Sequence, residues 1–203
     1  MKATDLLKKQ HEEVSALFKR IERAKGRDKT KLFDELAGNL VAHDAIEREI
    51  FYPACEKHMG LTDDLEEAIA EHGLVEFSLH KADIARGEDT FDTMVSVLKE
   101  VVEHHVEEEE EEFFPKVERA LGAGRLEELG EVMEDRFEEA KEQDFRVPLH
   151  ENLRQVLAGA MKTRAPAKKK ARAGEAKSGK HKTAKRSAAR KPAARPASKA
   201  RRA

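Results

Sequence analysis

The chain of 203 residues has a formal net charge of −2, but its two parts carry opposite charges. Residues 164–203 contain 16 lysines and arginines against one acid, a net charge of +15, which leaves −17 on residues 1–163. The single cysteine, Cys55, excludes disulfide frameworks and cysteine-rich zinc sites. The absence of an apolar leader, or of any run of about 18 apolar residues, predicts a soluble, unexported, cytoplasmic protein that does not bind membranes.

The acidic part has the hydrophobic periodicity of amphipathic helices and no alternating strand pattern. In its first segment, Leu7, His11, Val14 and Phe18 follow one another at steps of four and three. Glycines separate the segments, because glycine readily ends a helix. The predicted helices cover residues 4–25, 28–59, 63–86, 90–121 and 125–162.

These segments predict an all-α protein, an up-down antiparallel four-helix bundle with an additional C-terminal helix. Residues 1–162 would form this domain, and residues 163–203 would form a disordered basic tail. Proline removes a hydrogen bond from a helix, so interruptions are expected near the prolines of the second, fourth and fifth segments. They are Pro53, Pro115 and Pro148.

The third and fourth helical segments repeat the pattern of the first two. In each copy a histidine is followed by a glutamate four residues later, then by an aromatic pair and by a proline ten residues after the histidine; the copies begin at His43 and His105. A further histidine precedes each copy, His11 by 32 residues and His72 by 33. Two similar helical hairpins packed antiparallel would give a bundle with pseudo-twofold symmetry.

The repeated pattern indicates a metal site. Residues four apart lie on one face of a helix, so His43 with Glu47, and His105 with Glu109, each present two ligands on one side. These pairs stand where apolar core residues are expected, and burying them is costly unless a cation compensates. Imidazole and carboxylate donors without sulfur suit iron, manganese or zinc, and two bridging carboxylates favour a dinuclear centre.

Simpler interpretations compete with each part of this pattern. A single His-x-x-x-Glu pair arises easily by chance in a chain with 41 acidic residues, and the glutamates at 107–112 are on their own typical of a solvated helix face. A lone core histidine is more often a structural group than a ligand. Four histidines at two matched spacings, each on a core face, favour the metal site.

These residues resemble the hemerythrin-like family, the HHE cation-binding domain, over roughly residues 1–160. The resemblance implies four antiparallel helices that hold two non-haem irons, bridged by an oxo or hydroxo group and by two carboxylates. It implies the ligands His11, His43, Glu47, His72, His105 and Glu109. Glu47 and Glu109 would be the bridging carboxylates.

The sequence departs from the oxygen-carrying members of that family at two positions. Four residues after His72, where the carriers have a second histidine, this chain has Glu76, which becomes a tentative seventh ligand. The carboxylate of the fourth helix is a glutamate four residues after His105 rather than an aspartate five residues after it. Both departures resemble the iron-sensing and bacterial HHE branch, and the oxygen-rich donor set favours ferric iron over reversible O₂ binding.

The segment 164–203 has no large apolar residue, so it cannot offset its ordering entropy and is expected to be disordered alone. It resembles the C-terminal tails of linker histones and of some bacterial nucleoid proteins. Its charge predicts salt-sensitive, sequence-independent binding to DNA or another polyanion, with docking onto the acidic bundle as the alternative. The candidate contacts are Lys168, Lys169, Lys170, Arg172, Lys185, Arg186, Arg190, Lys191, Arg195, Arg201 and Arg202.

Three functions are compatible with these features. The first is a di-iron protein that senses or scavenges O₂, NO, peroxide or iron and is tethered to nucleic acid by its tail, in the nucleoid if the source is bacterial. The second is a di-iron enzyme with peroxidase- or catalase-like, NO-reducing or iron-cluster-repair activity. The third is a DNA-compacting protein with a metal-stabilised bundle. The pattern does not determine the oligomeric state.

Overall fold

The computed structural model describes residues 1–159; the candidate DNA contacts of the predicted tail lie outside the described residues. Every regular element within residues 1–159 is helical, and the predicted all-α bundle is confirmed. None of these helices is long and apolar enough to cross a membrane. The elements are α1 (Ala3–Arg23), α2 (Gly26–Ile46), a π-helical turn π1 (Glu47–Phe51), α3 (Tyr52–Met59), α4 (Asp63–Ile84), α5 (Phe91–Glu108), a second π-helical turn π2 (Glu109–Phe113), α6 (Phe114–Lys141) and α7 (Arg146–Leu157).

The interruptions expected near Pro53 and Pro115 take the form of the two π-helical turns, each of which ends shortly before its proline. In π1 the backbone N–H of Tyr52 donates to the carbonyl of Glu47, five residues earlier, and π2 has the equivalent bond. Proline has no N–H to offer to the carbonyl four residues before it, which favours the wider turn at this point. Both turns begin at the glutamate of the repeated motif.

The predicted fifth helix, residues 125–162, is replaced by two shorter helical segments, which are residues 123–141 of α6 and the helix α7. Gly122 has a φ of 73° and separates residues 114–121 of α6 from residues 123–141. The chain leaves the helix after Lys141, and α7 begins at Arg146, with Pro148 in its first turn, where proline is tolerated.

Two apolar clusters fill the bundle, and a polar layer separates them along each of the four main helices. Cluster A includes Phe18, Phe33 and Leu98, and cluster B includes Phe51 and Phe114. α1 runs from cluster B to cluster A and α2 runs back, and α4 and α5 repeat this order, as an antiparallel bundle requires. The polar layer contains the buried side chains of Gln10, His11, His43, Asp44, Glu47, Glu71, His72, Glu76, His105 and Glu109.

The last two helices pack against this bundle, α6 in cluster B and α7 in cluster A. Arg146 donates to both carboxylate oxygens of Asp83, at 3.0 and 2.9 Å, and so joins α7 to α4. At Gly130 an added Cβ would contact the carbonyl oxygen of Met1, so α6 lies directly against the start of α1.

Candidate metal centre

Six of the predicted ligands meet in the polar layer. The structure brings them into two groups of three, and within each group the ligand atoms lie within 4.8 Å of one another. All six residues are buried, none more than 7 % exposed, and each of the four main helices or its π-helical turn contributes to the centre. The first group is His11, His43 and Glu109, and the second is Glu47, His72 and His105.

Each of the two glutamates lies between the groups. Glu47 Oε2 is 3.1 Å from Nε2 of His43 and 3.0 Å from Nε2 of His72. Glu109 is placed in the same way, because its Oε2 is 3.6 Å from Nε2 of His11 and 3.5 Å from Nε2 of His105. Each carboxylate therefore contacts one histidine from each group, which is the placement that a bridging carboxylate needs.

In each of the four histidines of the centre, the other ring nitrogen, Nδ1, lies beside an oxygen acceptor. An oxygen acceptor fixes the proton on Nδ1 and leaves the lone pair of Nε2 directed into the centre, as is usual for histidines that bind metals. The distances are 2.8 Å from His11 to Glu110, 2.8 Å from His43 to Gln10, 2.6 Å from His72 to Asp44 and 2.9 Å from His105 to Glu71.

The inward-facing atoms form a donor set that fits a metal ion. Nε2 of His11 and Nε2 of His43 lie 3.3 Å apart, and both face the centre. Nε2 of His105, Oε1 of Glu47 and Oε2 of Glu109 are buried and make no hydrogen bond. Such atoms cost about 1–3 kcal/mol each when they lack a partner. Coordination by these nitrogens and oxygens would remove that cost.

The two glutamates have oppositely shifted pKa values. Burial raises the pKa of Glu47, but His43 and His72 outweigh burial and hold that pKa well below its usual range. Burial and the charge of Glu47 raise the pKa of Glu109 well above its usual range. In the metal-free chain one carboxylate is therefore ionised and the other protonated, and bound cations favour loss of the remaining proton.

The pKa values of the histidines are also shifted in opposite directions. Burial lowers the pKa of His105 to about 4 and also lowers the pKa of His11, so both imidazoles are neutral and ready to bind metal at neutral pH. Burial lowers the pKa of His72 too, but its contacts with Asp44 and Glu47 outweigh burial and raise that pKa well above the usual value. Metal binding at His72 must therefore displace a proton.

Tyr52 belongs to the centre although the motif does not identify it. Its hydroxyl oxygen is 2.8 Å from Nε2 of His72, 2.9 Å from Oε1 of Glu109 and 3.4 Å from Oε2 of Glu47. Burial is the main reason that the pKa of Tyr52 is raised well above its usual value. The signal in the sequence is a difference between the two copies of the repeat, because the equivalent position in the second copy is Phe114.

Four orienting residues are also part of the centre without being part of the motif. Each accepts the Nδ1–H of a histidine on another helix, and each is adjacent in sequence to a predicted ligand. That adjacency is the only sign of them in the sequence. They are Gln10, Asp44, Glu71 and Glu110.

Glu76, the tentative seventh ligand, lies in neither group of three. Its Oε2 is 3.5 Å from Nη2 of Arg48, and neither of its buried carboxylate oxygens makes a hydrogen bond. Burial and the charge of Asp44 raise the pKa of Glu76 to about 8, so this carboxyl holds a proton at neutral pH. Its role as a ligand stays a prediction.

A small cavity lies beside the histidines, on the side of cluster A. Its volume is about 30 Å³, which is enough for a water-sized molecule. A molecule in this cavity would contact the site histidines and Glu76. The apolar part of its wall consists of Val14, Leu40, Val41, Val75, Leu79, Val102 and Val106.

Known proteins share this sequence pattern and this fold. The family model of the hemerythrin HHE cation-binding domain matches residues 2–117, which is more than half of the chain and includes all six residues of the two groups. The structure is similar to the crystal structure of a hemerythrin HHE cation-binding domain-containing protein from Mycobacterium kansasii, at a TM-score of 0.62 and 27 % identity, covering 79 % of this chain and 94 % of that one. No match was found among curated proteins. The chain belongs to the hemerythrin HHE cation-binding family.

Proposed function

We propose that this chain binds two iron ions in the polar layer of the bundle and uses them to sense or scavenge O₂, NO, peroxide or iron. The observation that supports a pair of ions is that Glu47 and Glu109 each contact one histidine from each group. His11 and His43 would hold one ion, and His72 and His105 the other. The same donors accept manganese or zinc, so metal identity is part of the test.

The iron pair, when bound, supplies redox chemistry and a place for a small ligand. The surrounding side chains would decide which ligand reaches it, since a cavity of about 30 Å³ with apolar walls admits diatomic or peroxide-sized molecules and excludes larger ones. Glu76 lines that cavity and holds a proton at neutral pH, and Tyr52 presents a second hydroxyl proton beside the ligand atoms. Glu76 is therefore a candidate proton donor for an anion bound in the cavity.

The test is the metal content of protein purified under anaerobic conditions, together with the near-ultraviolet absorption that a ferric pair should show once the same protein is exposed to air. Two irons per chain are expected in the wild type, and the double variant His43→Ala/Glu47→Ala should lose them. The matched control His58→Ala/Glu66→Ala removes the same residue types from exposed positions and should keep both ions. Protein without iron, or normal iron in the first variant, would refute the proposal.

A di-iron enzyme is the second candidate function, and the protonated Glu76 beside the cavity is the observation that favours it. Peroxidase- or catalase-like turnover, NO reduction and donation of iron for cluster repair are the candidate reactions. Oxygen evolution from hydrogen peroxide by the iron-loaded chain, and NO consumption under anaerobic conditions, should both fall in a Glu76→Ala variant. Near-background rates in the wild type would exclude an enzyme for these two substrates.

The basic segment 164–203 is proposed to hold the protein on DNA or another polyanion, because its +15 charge can release counterions from phosphates. A chain that ends at Thr163 should lose retention on DNA, and binding by the full chain should weaken steeply with salt. Equal retention by the two chains would contradict tethering, and crosslinks between this segment and the acidic bundle would support docking instead.

In the third function, DNA compaction, metal-free and metal-loaded chains would compact DNA equally.

A further inference from the structure

A third group of possible ligands lies outside the buried centre, near the surface. Ligand atoms of Glu71, His104 and Glu108 are within 4.8 Å of one another. Nε2 of His104 is 3.5 Å from Oε1 of Glu71 and 3.3 Å from Oε1 of Glu108. The His104 side chain is 64 % exposed and that of Glu108 is 35 % exposed, so an ion in solution can reach this group directly.

This surface group borders an acidic cavity between α4 and the α5–π2 segment. The cavity has a volume of about 70 Å³, and among its lining residues the ionisable ones are all carboxylates. At its outer rim Lys116 already lies 2.8 Å from a carboxylate oxygen of Asp64, which indicates that the rim attracts positive charge. The acidic lining residues are Asp64, Glu67, Glu71, Glu108, Glu109 and Glu112.

The cavity reaches the buried centre. Glu109, one of its lining residues, is only 1 % exposed, and its Oε2 atom accepts no hydrogen bond. Glu71 links the two places as well, since Oε1 faces His104 while Oε2 accepts the Nδ1–H of His105. An ion that enters between the outer carboxylates therefore meets Glu109 at the inner wall of the cavity.

We propose that Glu71, His104 and Glu108 form a capture site for a divalent metal ion, from which the ion passes along the acidic cavity to Glu109. This inference rests on the proposed metal centre and adds the route by which the centre is filled. A cleft lined by charges of one sign raises the local concentration of the opposite ion and its association rate. One imidazole with two carboxylates binds Fe²⁺, Mn²⁺ or Zn²⁺, and the exposure of the site allows the ion to leave again.

The rate of metal uptake tests this route. Metal-free chain is mixed with limiting Fe²⁺ in a stopped-flow instrument without oxygen, and the ions bound in the centre are trapped by rapid addition of a chelator. In His104→Ala and Glu108→Gln, uptake should be slower by about three- to tenfold, while the final metal content stays at the wild-type value. The control Glu107→Gln removes an equal charge from the neighbouring exposed position, which lies on a different groove, and should change the rate by less than about twofold.

A second measurement examines the capture site alone. In the His43→Ala/Glu47→Ala variant, Mn²⁺ titration followed by electron paramagnetic resonance should detect one weakly bound ion per chain, and adding His104→Ala should abolish it. Wild-type uptake rates in both surface variants, or no weak Mn²⁺ site, would overturn the capture site. Failure of the wild type to fill its centre would instead overturn the proposed function, and the Mn²⁺ titration would still decide the capture site.

Discussion

The Oδ1 atom of Asp44 on α2 lies 2.6 Å from Nδ1 of His72 on α4, so one helix orients a predicted ligand on the next. A hydrogen bond of the same kind joins α1 to α2, α4 to α5, and π2 to α1. Together the four hydrogen bonds form a closed ring around the bundle. The other three bonds join Gln10 to His43, Glu71 to His105 and Glu110 to His11. The orientation of every imidazole therefore depends on correct packing of its neighbouring helix.

Removing one member of this ring should weaken metal binding without removing a ligand. In Asp44→Ala, His72 loses the acceptor that fixes its proton on Nδ1, and we expect metal affinity to fall by about 10- to 100-fold. Asp44→Asn keeps an oxygen acceptor and should retain most of the affinity, and the exposed Asp28→Ala is the control for charge. Competition with a chelator of known affinity gives the comparison. Wild-type affinity in Asp44→Ala would contradict an orienting role.

Glu47 and Glu109, the two glutamates between the groups, should respond to the same substitution with opposite effects on the metal-free chain. Glu47 is ionised and contacts two histidines, so Glu47→Gln should lower the free energy of unfolding by about 3–5 kcal/mol. Glu109 is a buried carboxyl whose pKa is raised by burial and by Glu47, so Glu109→Gln should raise the free energy of unfolding by about 1–2 kcal/mol.

Both variants should nevertheless bind less than the full complement of metal, because each lacks a carboxylate between the two groups. Urea unfolding in the presence of a chelator measures the first effect, and metal analysis measures the second. A destabilised Glu109→Gln chain would indicate that the carboxyl of Glu109 contributes hydrogen bonds that outweigh its burial.

The bundle and the convergence of its central histidines and glutamates could be anticipated from the sequence because both depend on spacing along one chain. Steps of three and four place His11 and His43 on core faces, and the repeated interval between histidine and glutamate marks the residues of the second copy that join them. Neither conclusion requires knowledge of how one helix is positioned against another.

The residues that spacing could not identify are those that act between helices. Asp44 reaches His72 only because of the relative height of α2 and α4, which no interval in the chain encodes. Tyr52 enters the centre because π1 adds one residue to a turn and so rotates the following side chains. The sequence does not mark the end of α6 at Lys141, because the three residues that follow it are as polar as a solvated helix face.

Glu76 should make the stability of the metal-free chain depend on pH. Its pKa is about 8 in the folded chain and about 4.3 in the unfolded chain. Between these pH values the folded state binds more protons than the unfolded state, so the free energy of unfolding falls as the pH rises, until the carboxyl is ionised above about pH 8. The glutamine of Glu76→Gln does not titrate. This variant should therefore lose about 2–4 kcal/mol less free energy of unfolding than the wild type between pH 5 and pH 9.

Chemical unfolding at several pH values, with a chelator present throughout, checks this expectation. Glu100→Gln removes a carboxyl from an exposed position of α5 and should leave the pH dependence as it is in the wild type. An unchanged slope in Glu76→Gln would mean that Glu76 is ionised in the folded chain at neutral pH.

Two glycines of α6, Gly130 and Gly124, should respond differently to substitution by alanine, because only Gly130 lies against the start of α1. At Gly130 an added Cβ would contact the carbonyl oxygen of Met1 and lie 3.0 Å from the backbone nitrogen of Ala3, so α1 would have to move. Gly130→Ala should lower the free energy of unfolding by about 1–3 kcal/mol. At Gly124 a Cβ meets no atom within 4 Å, and Gly124→Ala should raise the free energy of unfolding by up to about 1 kcal/mol, because alanine favours the helix. Thermal unfolding of both variants separates close packing from helix propensity, and equal stabilisation by the two substitutions would show that α1 does not approach α6 at Gly130.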